Sequence, residues 1–316
     1  MGKYILRRVA LLFPTLIGMS IIIFAMVRLM PGDIVDSLVG IDDTVTPEAK
    51  AELRRTYGLD EPVPVQYVRW LAGIVQGDLG RSYRTRKSIS EEILNALPVT
   101  IELAGYALLM SVVVAIPLGV LSAIRRNGWI DLFMRVCGLM GLAFPNFWLA
   151  TMFLLITSLA FRWVPPVFYI PPLEDPIGNL VQFFFPALAL AVALMAIEMR
   201  MARASMLEVL RQDYIRTATA KGLHTRDIVF RHALKNAFIP VITVIGIQTG
   251  GLLGGSVIIE QIFGLPGVGW YLLQGIQSRD YPVVQVTALF LATVFVVMNL
   301  IIDITYAFLD PRIKYG

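Results

Sequence analysis

The chain has 316 residues, of which 57% are hydrophobic and only 16% charged, with a mean hydropathy of +0.70. A soluble globular chain carries about 25% charge, so a pair of soluble domains is excluded, and the apolar residues fall in blocks that meet the roughly 20 residues a helix needs to cross a bilayer. The net charge of +4 resides in short polar stretches, as orientation in a membrane requires, and calls for no nucleic acid; the single Cys137 excludes a disulfide framework.

In chain order, the basic start Met1–Arg8 leads into an apolar block, Val9–Met30. A cleaved signal peptide has an apolar core of about 7–15 residues and a small-residue cleavage site. This block is longer and ends in Met30-Pro31-Gly32, which favours an uncleaved first span with a cytoplasmic N-terminus. Asp33–Leu97 is the one long hydrophilic stretch, with eleven acids and eight bases. Within it Thr46–Arg55 predicts a helix capped by Thr46, with Pro47 in its first turn. Ser88–Leu97 predicts a short interfacial helix.

Five further apolar blocks follow: 99–124, 132–161, 183–199, 238–263 and 283–308. Six spans place both termini on one side, and the loops then alternate with the bases inside: Arg125-Arg126 inside, 162–179 outside, 200–236 inside, 264–280 outside. The expected fold is therefore an all-α polytopic membrane protein. The charges Glu102, Arg135, Glu198 and Asp303 stand near block ends, where they are expected to reach the headgroups, and Arg28 is expected to snorkel outward. No ionisable group reads as mid-membrane, which weakens an ion-coupled carrier.

No chain lysine stands in a Gly-x-x-x-x-Gly-Lys-Ser/Thr phosphate loop, so nucleotide hydrolysis by this chain is not expected. His-Glu-x-x-His and Gly-x-Ser-x-Gly patterns are absent, and His224 and His232 lack further metal ligands, so neither a catalytic nor a metal site is expected. Gly250, Gly251, Gly254 and Gly255, with Gly246, form overlapping small-xxx-small pairs in the fifth block. Such pairs let helices approach closely; ordinary packing, a dimer interface and a pathway lining all fit.

The most informative stretch is 200–236, with eight Lys/Arg against three acids. Leu207, Leu210, Tyr214 and Ala218 recur at helical spacing, which predicts that the fourth span continues out of the membrane. Gly222 suits the left-handed residue that ends a helix, and Thr225 suits the cap of a second one. Two short basic helices around a glycine elbow exceed what orientation alone needs and suggest a docking surface.

The run Asp213–Leu223 (Asp-Tyr-Ile-Arg-Thr-Ala-Thr-Ala-Lys-Gly-Leu), followed by Arg231–Val241, resembles the EAA loop of ABC importer permeases, in its dipeptide/oligopeptide/nickel form. Further matches are Met30–Asp33, Tyr57–Asp60, Gly77–Ser82, Leu97–Thr100, Gly254–Glu260, Phe263–Gly269 and Leu309–Tyr315, so the resemblance spans the chain. Aligned on Gly222, Arg216-Thr217-Ala218 replaces Glu-Ala-Ala and His232–Lys235 replaces Ile-x-Leu-Pro; only Ala218, Gly222 and Leu234 match the general motif. The resemblance implies a type I importer permease with six transmembrane helices and a sizeable extracytoplasmic segment between spans 1 and 2. It divides the chain into 1–97 (first span and extracytoplasmic segment), 98–309 (five-helix transmembrane domain) and a cytoplasmic tail, 310–316. It implies ATPase coupling through Arg216, Thr217, Ala218, Lys221, Gly222, Leu223, His224 and Thr225, with ATP and Mg held by two cytosolic partner subunits. A second homologous permease and an extracytoplasmic substrate-binding protein complete the set, in a bacterial or archaeal plasma membrane. Peptide is the expected cargo; nickel and glutathione importers share the architecture.

Overall fold

The computed structural model describes residues 2–29, 35, 46–56, 58–166 and 168–309. The expected tail 310–316, the Met30–Asp33 motif, Tyr57 and the side chain of Asp303 lie outside the described residues. Among those described, eleven main helices run in order: α1 (Gly2–Leu29), α2 (Pro47–Thr56), α3 (Val63–Val75), α4 (Ile89–Ile124), α5 (Trp129–Ala143), α6 (Asn146–Phe161), α7 (Pro176–Val209), α8 (Asp213–Ala220), α9 (Leu234–Phe263), α10 (Val268–Gln277) and α11 (Tyr281–Leu309). A single helical turn, Thr225–Asp227, and a π-helical stretch, Ile228–Ala233, lead into α9.

Five helical segments are long and apolar enough to cross a membrane, and two bent pairs reach that length only together. The first bent pair corrects the expected straight third span: α5 and α6 meet at 99°. The cause is local. Pro145 bars the helical conformation from the residue before it, and Phe144 is extended at φ −94°, ψ 128°. The second pair, the end of α9 with α10, is bent by 77°, so the expected 264–280 loop contains a helix.

The expected interfacial helix at Ser88–Leu97 is instead the first part of α4, which runs unbroken for 36 residues, about 54 Å at 1.5 Å each. One face explains the continuity. Ile89, Ile93, Ala96, Val99, Thr100, Leu103 and Ala107 are buried at spacings of three or four, straight through Pro98. The packing along that face outweighs the one backbone bond a proline removes. Ile89 and Ile93 cluster with Val283 and Val286 of α11.

The core is the α4–α7 pair, the most extensive helix contact, with α9 packed on both. Val99, Leu103, Phe183, Ala187, Leu190 and Ile259 form its centre. Gly119 of α4 lets the two helices touch: a Cβ there would lie 2.7 Å from the Met199 carbonyl oxygen and from the Ala202 Cβ. α1 lies to one side against α11 and α3. Phe24 packs on Tyr67 and Trp70 at 5.4 and 5.7 Å between ring centroids. Arg28 does not simply snorkel: its guanidinium lies over Phe24 and donates to Gln66 of α3. Elsewhere large apolar side chains such as Phe13, Ile22, Leu139, Leu159 and Ile258 face outward, as lipid contact or further helices require.

Candidate functional site

The basic segment forms one end of the bundle. The predicted extension of the fourth span holds as far as Val209, but the stripe expected on one helix is broken. Arg211 and Gln212 close a tight turn by donating to the Glu208 and Val209 carbonyls, at 3.2 and 3.0 Å, and α8 then sets off separately. The helix α8 ends at a glycine elbow. Gly222 has φ +80°; its N–H donates to the Thr219 carbonyl at 2.9 Å, and the Leu223 N–H to that of Ala218 at 3.4 Å. This is the paired capping expected of a left-handed C-terminal residue. Thr225 does not cap the next helix. That place is taken by His224, extended at φ −63°, ψ 142°, with no side-chain bond to the helix. The second helix is not short either, since its turn and π stretch flow into α9.

One face of α8 is anchored. Ile215 and Ala218 are buried against Val120 and Ala123 of α4, Met206 of α7, and Ile228, Val229 and Ala233. Asn236 of α9 donates to the Tyr214 hydroxyl at 2.8 Å. The other face is free. Arg216, Thr217, Lys221, Gly222, Leu223, His224 and Thr225 are all exposed. The structure thus brings together seven of the eight residues singled out from sequence on one surface and places the eighth, Ala218, behind it. The ion pair Arg216–Asp213, 3.5 Å apart with both side chains mostly in solvent, adds little stability. His224, Thr225, Arg226, Asp227, Phe230 and Arg231 rim a shallow concavity of about 870 Å³. Two apolar side chains, Leu223 at 41% and Phe230 at 59% exposure, stand in this otherwise basic surface.

Below the elbow lies a buried ion pair that composition concealed. Asp131 of α5 is fully buried and takes a two-pronged bond from Arg203 of α7, Nε to Oδ1 at 2.7 Å and Nη2 to Oδ2 at 2.9 Å. Ser122 donates to it at 2.6 Å and the Asn127 N–H at 3.0 Å. The loop between α4 and α5 is thereby tied to the helix that leads into α8. The available signal was a lone acid in the apolar run that follows Arg125-Arg126.

The opposite end carries three comparable nodes. Glu260, fully buried at the end of α9, accepts from Thr100 Oγ1 and from the Trp270 N–H, each at 2.9 Å. Thr100 in turn accepts from the Val268 N–H at 2.9 Å. A Cβ at Gly267 would stand 2.4 Å from Glu260 Oε2 and 2.7 Å from Thr100 Oγ1. The runs Leu97–Thr100, Gly254–Glu260 and Phe263–Gly269 thus converge on one carboxylate. Asp280 accepts from Ser82 Oγ at 2.6 Å and from the Tyr83 and Arg84 N–H groups at 3.2 Å, which clamps the Gly77–Ser82 run to the start of α11. Glu102 accepts from Tyr169 at 2.6 Å and Asn179 at 2.8 Å, so it is held within the protein instead of reaching for headgroups. Burial, and then the bond to Glu102, raise the Tyr169 phenol above the usual tyrosine range.

The glycine cluster is divided between faces of α9. Gly246 and Gly250 look at Ile302 and Asn299 of α11, 2.8 and 3.3 Å from where a Cβ would lie. Gly255 faces Leu190 of α7 at 3.7 Å, while Gly251 and Gly254 face open space. Glu198 corrects the expectation drawn from its position. Although it sits near the end of an apolar block, α7 continues past it and it is fully buried between α4 and α9.

Residues 115–315 match the family described as binding-protein-dependent transport system inner membrane component, and residues 1–104 match its N-terminal companion. The dipeptide transport system permease protein DppB of Alkalihalophilus pseudofirmus is 41% identical, with both chains covered completely. The di/tripeptide permease DppB of Pseudomonas aeruginosa is 38% identical and the dipeptide permease DppB of Escherichia coli K12 37%, each over 100% of this chain and 99% of the relative. A helical bundle with a basic, partly apolar elbow at one end and whole-length identity of this order place the chain among the inner-membrane permeases of binding-protein-dependent transport systems.

Proposed function

We propose that this permease carries di- or oligopeptides and forms half of an ATP-driven import pathway. The observation that carries the reading is the 41% identity, end to end, with a dipeptide permease. In this reading a second homologous permease completes the pathway, two cytosolic subunits bind ATP and Mg, and an extracytoplasmic binding protein delivers the cargo. This chain performs no hydrolysis. Six crossings, with α5 and α6 counted as one, put both termini and the basic elbow in the cytosol.

The elbow is the coupling contact. Arg216, Thr217, Lys221, Leu223, His224 and Thr225 meet a groove on the ATP-binding subunit, Gly222 sets the turn, and Ala218 seats the helix on its own bundle. Because Ile215 and Ala218 pack on α4 and α7, a push on α8 passes to the spans as a rigid-body movement. ATP drives the cycle only insofar as it binds one arrangement of the subunits better than the other.

The test is co-reconstitution in liposomes with the second permease, both ATP-binding subunits and the extracytoplasmic binding protein. ATP-dependent accumulation of a labelled dipeptide is expected, and deletion of Asp213–Asp227 abolishes both accumulation and co-purification of the ATPases. Uptake by this chain alone under an ion gradient, or full ATPase capture by the deletion variant, overturns the reading.

A further inference from the structure

Four carboxylates are buried at 3% exposure or less among the described residues: Asp131, Glu198, Glu260 and Asp280. Three have donors on both oxygens or a full set of backbone and hydroxyl partners. Glu198 does not. Its Oε1 accepts from Ser111 Oγ of α4 and from Gln248 Nε2 of α9, both at 3.2 Å, but its Oε2 has no donor among the described residues. Among the same residues the Oε1 of Gln248 is also buried without one. The Ser111 bond is itself shared, since a hydroxyl has one proton and Ser111 also donates to the Leu108 carbonyl at 2.9 Å. The next arginine along the buried side of α7, Arg203, is committed to Asp131.

The deficit has a definite chemistry. Two acceptor oxygens and a hydroxyl lone pair, on three different helices, lack protons, and one of the acceptors is a carboxylate. Buried acceptors left unmatched are costly, and an acid within a helix bundle in lipid marks a pathway more often than a scaffold. The group that completes the set donates several N–H bonds and carries positive charge: a primary ammonium. Access is marked out by α9. Gln248 is only half buried, and Gly251, one turn away, is exposed, with open space where a side chain would stand.

From this geometry we infer that Glu198, Ser111 and Gln248 form a subsite for the free ammonium group of the transported peptide, reached past Gly251 with Gln248 as its cover. The inference rests on the peptide reading above. Since the three residues belong to α4, α7 and α9, any relative movement of those helices alters the fit, so the subsite holds cargo in one arrangement of the pathway and releases it in another.

The experiment compares ATP-driven uptake of Ala-Ala and N-acetyl-Ala-Ala by the complete reconstituted transporter. The wild type is expected to prefer the free amine. Glu198→Gln keeps shape but not charge, and is expected to reduce that preference at least tenfold through a higher KM for Ala-Ala, while ATPase co-purification is retained. Glu198→Asp is expected to keep most of the preference. A wild type that does not discriminate, a Glu198→Gln variant with undiminished preference, or equal losses on both peptides overturns the subsite. Failure of the wild type to import either peptide is a different result, which refutes the peptide reading itself and the subsite with it.

Discussion

Replacing Gly222 by alanine tests the elbow with a magnitude that the structure fixes. A Cβ at this position meets nothing within 4 Å, so no steric clash contributes. What remains is the backbone: φ is +80°, a left-handed conformation that costs an L-residue about 1–2 kcal/mol. At about 1.4 kcal/mol per factor of ten, the equilibrium constant for forming the turn falls roughly 5- to 30-fold. The contacts of Ile215 and Ala218 with Val120, Ala123 and Met206 do not cross the elbow, whereas those with Ile228, Val229 and Ala233 do. The expected outcome is a weaker Kd for the ATP-binding subunits, by up to about 30-fold, measured by titration against permease in nanodiscs, with at most a small fall in the thermal midpoint. Gly222→Asn is expected to lose less, since asparagine tolerates this region better than alanine. Wild-type affinity in Gly222→Ala, or a larger loss in Gly222→Asn than in Gly222→Val, refutes the elbow as the docking element.

Asp131→Ala strands the Arg203 guanidinium and unpairs Ser122 and the Asn127 N–H; a loss of about 2–4 kcal/mol in unfolding free energy is expected once the partial exposure of Arg203 is allowed for. A double-mutant cycle with Arg203→Met in mixed micelles checks it, and a coupling below about 0.5 kcal/mol contradicts the pairing. Gly267→Ala drives a methyl group into Glu260 and Thr100, and is expected to lower the thermal midpoint measurably more than Gly254→Ala, whose Cβ meets open space. Tyr169 binds its proton more tightly when folded, so its contribution is complete below the ordinary tyrosine value of about 10 and fades as pH rises through the higher folded value. Ultraviolet difference titration of wild type against Tyr169→Phe is expected to show no Tyr169 ionisation near pH 10; normal ionisation there contradicts the part-buried bond to Glu102.

The helical, membrane-spanning character was legible because hydropathy in blocks of this length has one physical solution in lipid. Gly222 was legible for the same reason, as few residues accept its backbone angle. Breaks and continuities were less so. Pro98 leaves α4 intact because both sides of it bury one shared face, whereas Pro145, with no such continuous face, bends α5 against α6 by 99°. Proline alone does not distinguish the two. Buried charge was hidden as well. Glu198 and Asp131 look like acids near block ends, and only the placement of Ser111 and Gln248 around the first and Arg203 beside the second shows that both are buried. Periodicity set Tyr214 and Ala218 on one stripe but could not show that Ala218 is buried while its neighbours Arg216 and Thr217 are exposed.

The clamp between Ser82 and Asp280 spans 198 residues of sequence. During synthesis at about 5–20 residues per second, its two ends emerge roughly 10–40 s apart. Throughout that interval the Ser82 hydroxyl and the Tyr83 and Arg84 amides have no Asp280 to donate to, and the Gly77–Ser82 segment lacks its anchor. Closure of the clamp therefore waits for the chain as far as Asp280, at the start of α11, to be in place.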